Sequence, residues 1–337
     1  IFFESNLAIR PRLLHSLIIN MYGGNINGSL YGGSNITGNV YADVDINLYK
    51  GSVNSATSGV YGGGKGQNTT ILSSTFIDTK TDTNSDLKIN EIYGGSELGS
   101  VNNIGVTNIN IDGGIIGNVY GGGKGNNNVS PNTDGNITVN MLNGDVNNIF
   151  GGNNIRGVID TMSTVNVSGG VIGNVYGGSD GTLLANSGGN INNVGAVNTL
   201  VNISGGTIET AVYGGGKSAP TTGSSTVNVT GGTFAQLDAN GYLVTGTTPA
   251  EVFGGGEAAR VTTTNVNILA GANVYNVYGG SNKSGVVTTT NVNNTAGNIL
   301  CNSYGGGKIA EAVTTNNNLN GTNYSYVLRD GETAYTT

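Results

Sequence analysis

The 337-residue chain has no tryptophan, one cysteine, one histidine and four prolines, and charged residues make up only 10% of it. Each shortage removes a class of protein. Cys301 alone allows neither an internal disulfide nor a cysteine-built metal cluster, and His15 alone allows no histidine-rich metal site. The 13 lysines and arginines are scattered, apart from Arg10 and Arg12, and the net charge is −7. A nucleic-acid backbone calls for a basic patch, so nucleic acid is not an expected partner. No apolar run approaches the roughly 20 residues of a membrane-spanning helix. The chain opens on Ile1, with no Met and no signal peptide, and so reads as a mature product or an excised piece.

What is abundant is glycine, at 60 residues, followed by Asn, Thr, Ser and Val. The glycines follow no Gly-X-Y period, which excludes collagen. Disordered chains are rich in charge and proline and poor in β-branched residues, the reverse of this composition. The bias is that of a repetitive β protein.

The repeat is visible by eye. "TNINIDGGIIGNVYGGGK" at 107–124 returns as "TVNVSGGVIGNVYGGS" at 164–179 and "TNVNILAGANVYNVYGGS" at 264–281. One landmark is an Asn between two apolar residues: Asn47, Asn110, Asn140, Asn166, Asn202, Asn228, Asn267 and Asn293. The steps from Asn140 to Asn166, Asn202 to Asn228 and Asn267 to Asn293 are equal, at about 26 residues. A second landmark is the aromatic before Gly-Gly: Tyr61, Tyr93, Tyr120, Phe150, Tyr176, Tyr213, Phe253, Tyr278 and Tyr304. From Asn to aromatic is usually 10 or 11 residues, and from aromatic to the next Asn 14 to 16. The step from Asn228 to Phe253 is longer by about 15 and that from Tyr176 to Asn202 by about 10, so the unit is fixed and its corners absorb loops, as in a solenoid.

Within a unit, "TVNV" alternates with period two, Val165 and Val167 on one side and Asn166 on the other. "SGG" then breaks the strand. A second strand leads to the aromatic, and Asn118, Asn148, Asn174, Asn276 and Asn302 stand two residues before it, where Asn suits a left-handed bend. A third short strand such as "VTT" closes the turn. The expected fold is therefore all-β, a single-domain parallel β-helix of three-strand rungs of about 26 residues. An antiparallel sandwich would need no such echo. Rungs about 4.8 Å apart would make a rod of roughly 50 Å, its core a column of Val, Ile and Leu and its corners laddered with Asn.

Residues 1–20 read as an N-terminal cap or irregular first rung, with Leu13, Leu14, Leu17 and Ile18 at helical spacing after Pro11. Residues 21–321 hold the repeats. The segment 322–337 continues in strand-like alternation without proline and is expected to meet another subunit or a following segment. The insertion 234–251, with the turn sequence "LDANGYLV", is expected to project as a hairpin arm.

Chemistry-bearing motifs are sparse. "GGNINGSLY" has the spacing of a calcium-binding nonapeptide but Asn and Gly where the ligating Asp and its Gly belong. Asp82, Asn84 and Asp86 in "DTNSD" make half of an EF-hand loop, a weak metal candidate without the central Gly or the distal Glu. "YGGGK", ending at Lys65, Lys124, Lys217 and Lys308, and "GGGE" at Glu257 lack the following helix of a phosphate loop and read as tight corners with solvated charges. Asp134, Asp145, Asp160 and Asp180 are isolated acids, whereas glycan cleavage needs a carboxylate pair. The "VTTTN" segments echo an ice-binding threonine ladder for only two or three units. The N-x-S/T triplets at Asn166, Asn202 and Asn228 follow from the repeat itself. No catalytic residue and no cofactor is expected.

With "YGGGK", "TVNVSGG" and "GNVYGGS", over about residues 22–325, the chain resembles the Gly/Asn/Thr-rich parallel β-helix repeat regions of bacterial cell-surface proteins, adhesin-like and autotransporter-passenger-like. The resemblance carries no catalytic motif. It implies an extracellular or cell-surface location and a structural or adhesive role, with the chain itself, head to tail, or surface glycans as partners. The alternative expectation is a glycan-binding or glycan-cleaving β-helix such as a phage tailspike.

Overall fold

A computed structural model describes residues 16–80, 86–101, 105–181, 194–239, 241 and 243–319. All regular structure among them is β-strand. Twenty strands join in one sheet, and Thr37–Val40, Asn68–Ile71 and Ser100–Val101 form a second. Neighbouring strands run parallel, each pairing with the equivalent strand of the next coil of chain. The fold is all-β and solenoid-like, and among the described residues no helix is long and apolar enough to cross a membrane.

The first face shows why the sequence folds this way. In Val44–Leu48, the apolar Val44, Ile46 and Leu48 point inward, and Asp45 and Asn47 outward. The same register carries Ile46 onto Ile77, Ile77 onto Ile109, Ile109 onto Val139 and Val139 onto Val165. The column then continues through Val201, Val227, Val266 and Val292. Each is fully buried, worth about 1.5–3 kcal/mol apiece. Loops do not disturb the register. Asn202 bonds Asn166 across a separation of 36 residues and Asn267 bonds Asn228 across 39, whereas Asn166 bonds Asn140 across 26.

Two devices hold the faces to one another. Three residues before the landmark Asn, a buried hydroxyl points inward and donates to the carbonyl of the glycine after the aromatic. The pairs include Thr75 to Gly94 at 2.8 Å, Ser163 to Gly177 at 2.6 Å, Thr199 to Gly214 at 2.6 Å and Thr264 to Gly279 at 2.6 Å. Thr264 and Thr290 of the "VTTTN" segments are thus core braces; they do not face solvent as a threonine ladder would. We expect Thr264→Val to cost about 1–3 kcal/mol by stripping the Gly279 carbonyl of this donor. Thr264→Ser should stay near the parent, because Ser163 and Ser225 fill the same role. Equal melting of the two variants would refute the brace.

The second device is the glycine column itself. A Cβ on Gly177 would lie 2.2 Å from the Gly214 carbonyl oxygen, and one on Gly254 2.4 Å from that of Gly279. Only a residue without a side chain lets the coils close to strand spacing here.

Some expectations need correction. Leu17–Met21 is a strand paired with Val44–Leu48, so the helical spacing is not realised at Leu17 and Ile18; residues 1–15 lie outside the described residues. The Asn two before the aromatic is not a left-handed bend, since among the described residues no non-glycine residue has positive φ. Asn118, Asn148 and Asn174 stay in register within strands and bond one another through their side chains. In the insertion, Leu237 pairs antiparallel with Leu243, and the Ala250 amide closes the base on the Phe234 carbonyl at 2.6 Å. Phe234 and Leu243 are buried, while Gln236, Leu237, Asp238, Ala239, Thr245 and Thr248 are exposed. The segment 322–337 lies outside the described residues.

Candidate functional site

The aromatics before Gly-Gly stand in one column along one corner. Starting at Tyr31, the rings of Tyr61, Tyr93, Tyr120, Phe150, Tyr176, Tyr213, Phe253, Tyr278 and Tyr304 stack face to face. Neighbouring centroids are 4.6 Å apart at the closest and 5.1 Å at the widest, and planes tilt by no more than 12°. The spacing follows from parallel pairing, which places Tyr61 opposite Tyr93 and Tyr176 opposite Tyr213. Stacked pairs of this kind add about 0.5–1.5 kcal/mol each beyond burial. Tyr304, at the end of the column, is 44% exposed.

The hydroxyl edge of the column is polar and organised. The residue four positions after an aromatic reaches back to the tyrosine two coils earlier. Tyr31 donates to Glu97 at 2.5 Å and Tyr176 to Glu257 at 2.6 Å. Asn154 donates to the Tyr93 oxygen at 2.7 Å, Asn282 to Tyr213 at 3.0 Å and the Lys124 ammonium to Tyr61 at 3.4 Å. Two further acids stand two residues before an aromatic: Tyr93 donates to Glu91 of its own strand at 2.7 Å, and Tyr278 to Glu251 of the preceding coil at 3.3 Å. The glutamates are paired in turn, Glu91 with Lys124, Glu257 with Lys283 and Glu251 with Lys308. Burial raises the Tyr213 phenol to about 12. Burial, reinforced by nearby carboxylates, pushes Tyr61, Tyr93, Tyr120 and Tyr176 well above the ordinary tyrosine value.

This edge changes the reading of "YGGGK" and "GGGE". Lys124, Lys217 and Lys308 and Glu257 pair with charges on other coils, Lys217 with Asp180 at 3.4 Å. Lys65 is exposed.

The landmark asparagines form a second column, on the outside of the first face. Each Nδ2 donates to the Oδ1 of the preceding member: Asn140 to Asn110, Asn166 to Asn140, Asn202 to Asn166, Asn228 to Asn202, Asn267 to Asn228 and Asn293 to Asn267. Asn318 extends it at one end, and Asn47 donates to Asn20 at the other. Asp78 takes the place between Asn47 and Asn110, accepting from Asn110 at 2.7 Å. Every amide therefore points the same way along the rod.

The remaining candidates stay apart. Asp82 and Asn84 lie outside the described residues and Asp86 is exposed. Among the described residues, no three His, Cys, Asp or Glu side chains gather as a metal site. Asp145 and Asp160 are exposed on separate strands, Asp134 accepts from Asn132, and Asp180 is the partner of Lys217. A cleft of about 270 Å³ at the foot of the hairpin contains Glu209, Gln236 and Thr248. Another of about 300 Å³ contains Arg260, Thr222 and Thr262. Compared with family models, curated proteins and solved structures, the chain matches none.

Proposed function

We propose that this chain is a non-enzymatic structural or adhesive rod of the extracellular or cell-surface kind. Its repeating unit is a three-strand rung of about 26 residues, lengthened by loops at the corners and preceded by an irregular N-terminal cap. The observation that carries the reading is the continuity of the columns: ring on ring from Tyr31 to Tyr304, and amide on amide from Asn110 to Asn318. Side chains at these positions are committed to the neighbouring coil, which is how a chain is built for length and stiffness. The glutamates along the tyrosine edge are engaged by phenols and lysines, which speaks for a rod over a glycan-cleaving enzyme, whose two acids must flank one bond.

The uniform amide direction supports head-to-tail assembly of such rods. Asn318 donates back to Asn293 and Asn20 accepts from Asn47, so a strand following in this register would donate to Asn318 and one preceding would accept from Asn20. Two like ends would oppose donor to donor or acceptor to acceptor. A contact that repeats head to tail builds a filament rather than a closed ring.

Negative-stain imaging of the purified full chain tests this. Straight filaments, or rods of uniform width that lengthen with concentration, are expected; compact round particles would overturn it. Deleting 236–249 should leave the rod intact and weaken attachment to surface glycans, since loops on a rigid scaffold carry binding. Attachment unchanged by the deletion would remove the hairpin from the adhesive role.

A further inference from the structure

The repeat is interrupted on two neighbouring coils at one point of the face that leads to the aromatic column. On the first, Ile208 pairs with Ile172 and Ala211 with Asn174, so Glu209 and Thr210 together stand against the single residue Gly173. A bulge of this kind bends the strand and re-aims its side chains. On the next coil Thr233 lies opposite Thr207 and Glu251 opposite Ala211, and the segment 234–250 with its hairpin is inserted between these same register points. The asparagine ladder Asn118–Asn148–Asn174 meets Ala211 here. Bulge and hairpin root together form the cleft of about 270 Å³, with Thr207 and Glu209 from one coil and Thr233, Gln236, Thr247 and Thr248 from the other. Glu209 also differs from the glutamates of the tyrosine edge. Glu91, Glu97, Glu251 and Glu257 are all held by phenols, and three of them by lysines as well. Among the described residues no hydrogen bond or ion pair engages the Glu209 carboxylate or the Gln236 side-chain amide, and both residues are exposed.

We propose that this cleft binds one uncharged sugar residue. A carboxylate only accepts hydrogen bonds, an amide both donates and accepts, and so do hydroxyls, which is the mixture a polyol requires. Two adjacent sugar hydroxyls can donate to the two oxygens of Glu209, and bonds to a charged acceptor are the stronger kind. Gln236 and the threonines serve the remaining hydroxyls, and Ala235 lies among them to meet the C–H face of the ring. The volume stands at the small end of ligand sites and suits a single pyranose. The lining carries one negative charge and no cation, so the carboxylate of a sugar acid is repelled. The inference rests on the adhesive reading above and narrows its glycan to one that presents a neutral hexose.

Saturation-transfer NMR of the full chain with the methyl glycosides of glucose, galactose, mannose and glucuronic acid tests this. Transfer to at least one of the three neutral glycosides is expected, and none to the glucuronide. Glu209→Ala should lower affinity for the neutral sugar about tenfold, the loss of a charge-assisted hydrogen bond. Glu209→Gln should keep part of that affinity and admit the glucuronide, an exchange of specificity that a loosened hairpin would not produce. It also carries the test alone should Glu209→Ala alter the circular dichroism. Absence of transfer to all three neutral glycosides would overturn the proposal, as would a response to the glucuronide that is the same in the parent and in Glu209→Gln. The two readings fail separately. Attachment to a glycan-coated surface through the hairpin, without transfer to any free sugar, keeps the adhesive rod and removes the cleft. Transfer to a free sugar without surface attachment keeps the cleft and removes the adhesive role.

Discussion

Raised above about pH 10, the protein is expected to lose its fold in one steep step. The buried phenols of Tyr61, Tyr93, Tyr120, Tyr176 and Tyr213 have folded-state values above the unfolded one, chiefly because burial disfavours phenolate. A raised value means that the folded chain holds protons that the unfolded chain releases. Their contribution is complete below the unfolded tyrosine value and drains away as pH climbs beyond it, to about 12 for Tyr213 and further for the others. Each such tyrosine withdraws about 1.4 kcal/mol per pH unit, so the five together exceed the stability of an ordinary domain within one or two units. Tyrosinate absorbance and far-ultraviolet circular dichroism, followed together from pH 9 to 12, should change in the same narrow window (about those limits). Smooth titration of all tyrosines near pH 10 with the β-signal intact would contradict it.

The same column shows what the sequence made legible and what it hid. The recurring aromatic before Gly-Gly, usually 10 or 11 residues after the landmark Asn, placed the rings in one line, because parallel strands in a fixed unit must repeat their side chains. Tyr31 belongs to that line and obeys the rule: Asn20, between Ile19 and Met21, stands as far before it as Asn293 does before Tyr304. Tyr22-Gly-Gly lies nearer and suggests a nonapeptide instead. Asp78 between Ile77 and Thr79 holds the landmark place of a coil whose Asn has been replaced, and its ladder bond to Asn110 identifies it. The brace was also written in the chain, as Thr or Ser three residues before each Asn from Asn166 to Asn293. A hydroxyl in a strand reads as an exposed residue until its partner, a glycine carbonyl across the core, is located. Most of the polar edge of the tyrosines was not legible, because contacts such as Tyr31 with Glu97 and Tyr176 with Glu257 join residues two coils apart with loops of differing length between them.

Gly177→Ala is expected to split the rod. Its new Cβ would sit 2.2 Å from the Gly214 carbonyl oxygen and near 3 Å from the side chains of Val201 and Thr199. Backbone on one side and buried core on the other leave no rotamer to choose, so the coils must part. Parting them strains the bonds from Gly177 N to Tyr213 O at 2.9 Å and from Gly178 N to Gly215 O at 3.1 Å, and opens the Tyr176–Tyr213 stack. A cost of about 3–5 kcal/mol follows from overpacking together with lost hydrogen bonds. Gly28, with nothing within 4 Å of its would-be Cβ, provides the comparison: Gly28→Ala should leave stability within a few tenths of a kcal/mol. Because a solenoid is stabilised coil against coil, the damage in Gly177→Ala should stay at that interface and divide one melting transition into two. Hydrogen exchange would then show protection falling first at 171–181 and 207–216, while strands such as Val44–Leu48 and Val287–Asn294 keep theirs. Uniform loss of protection along the whole chain would mean that the rod folds as one indivisible unit.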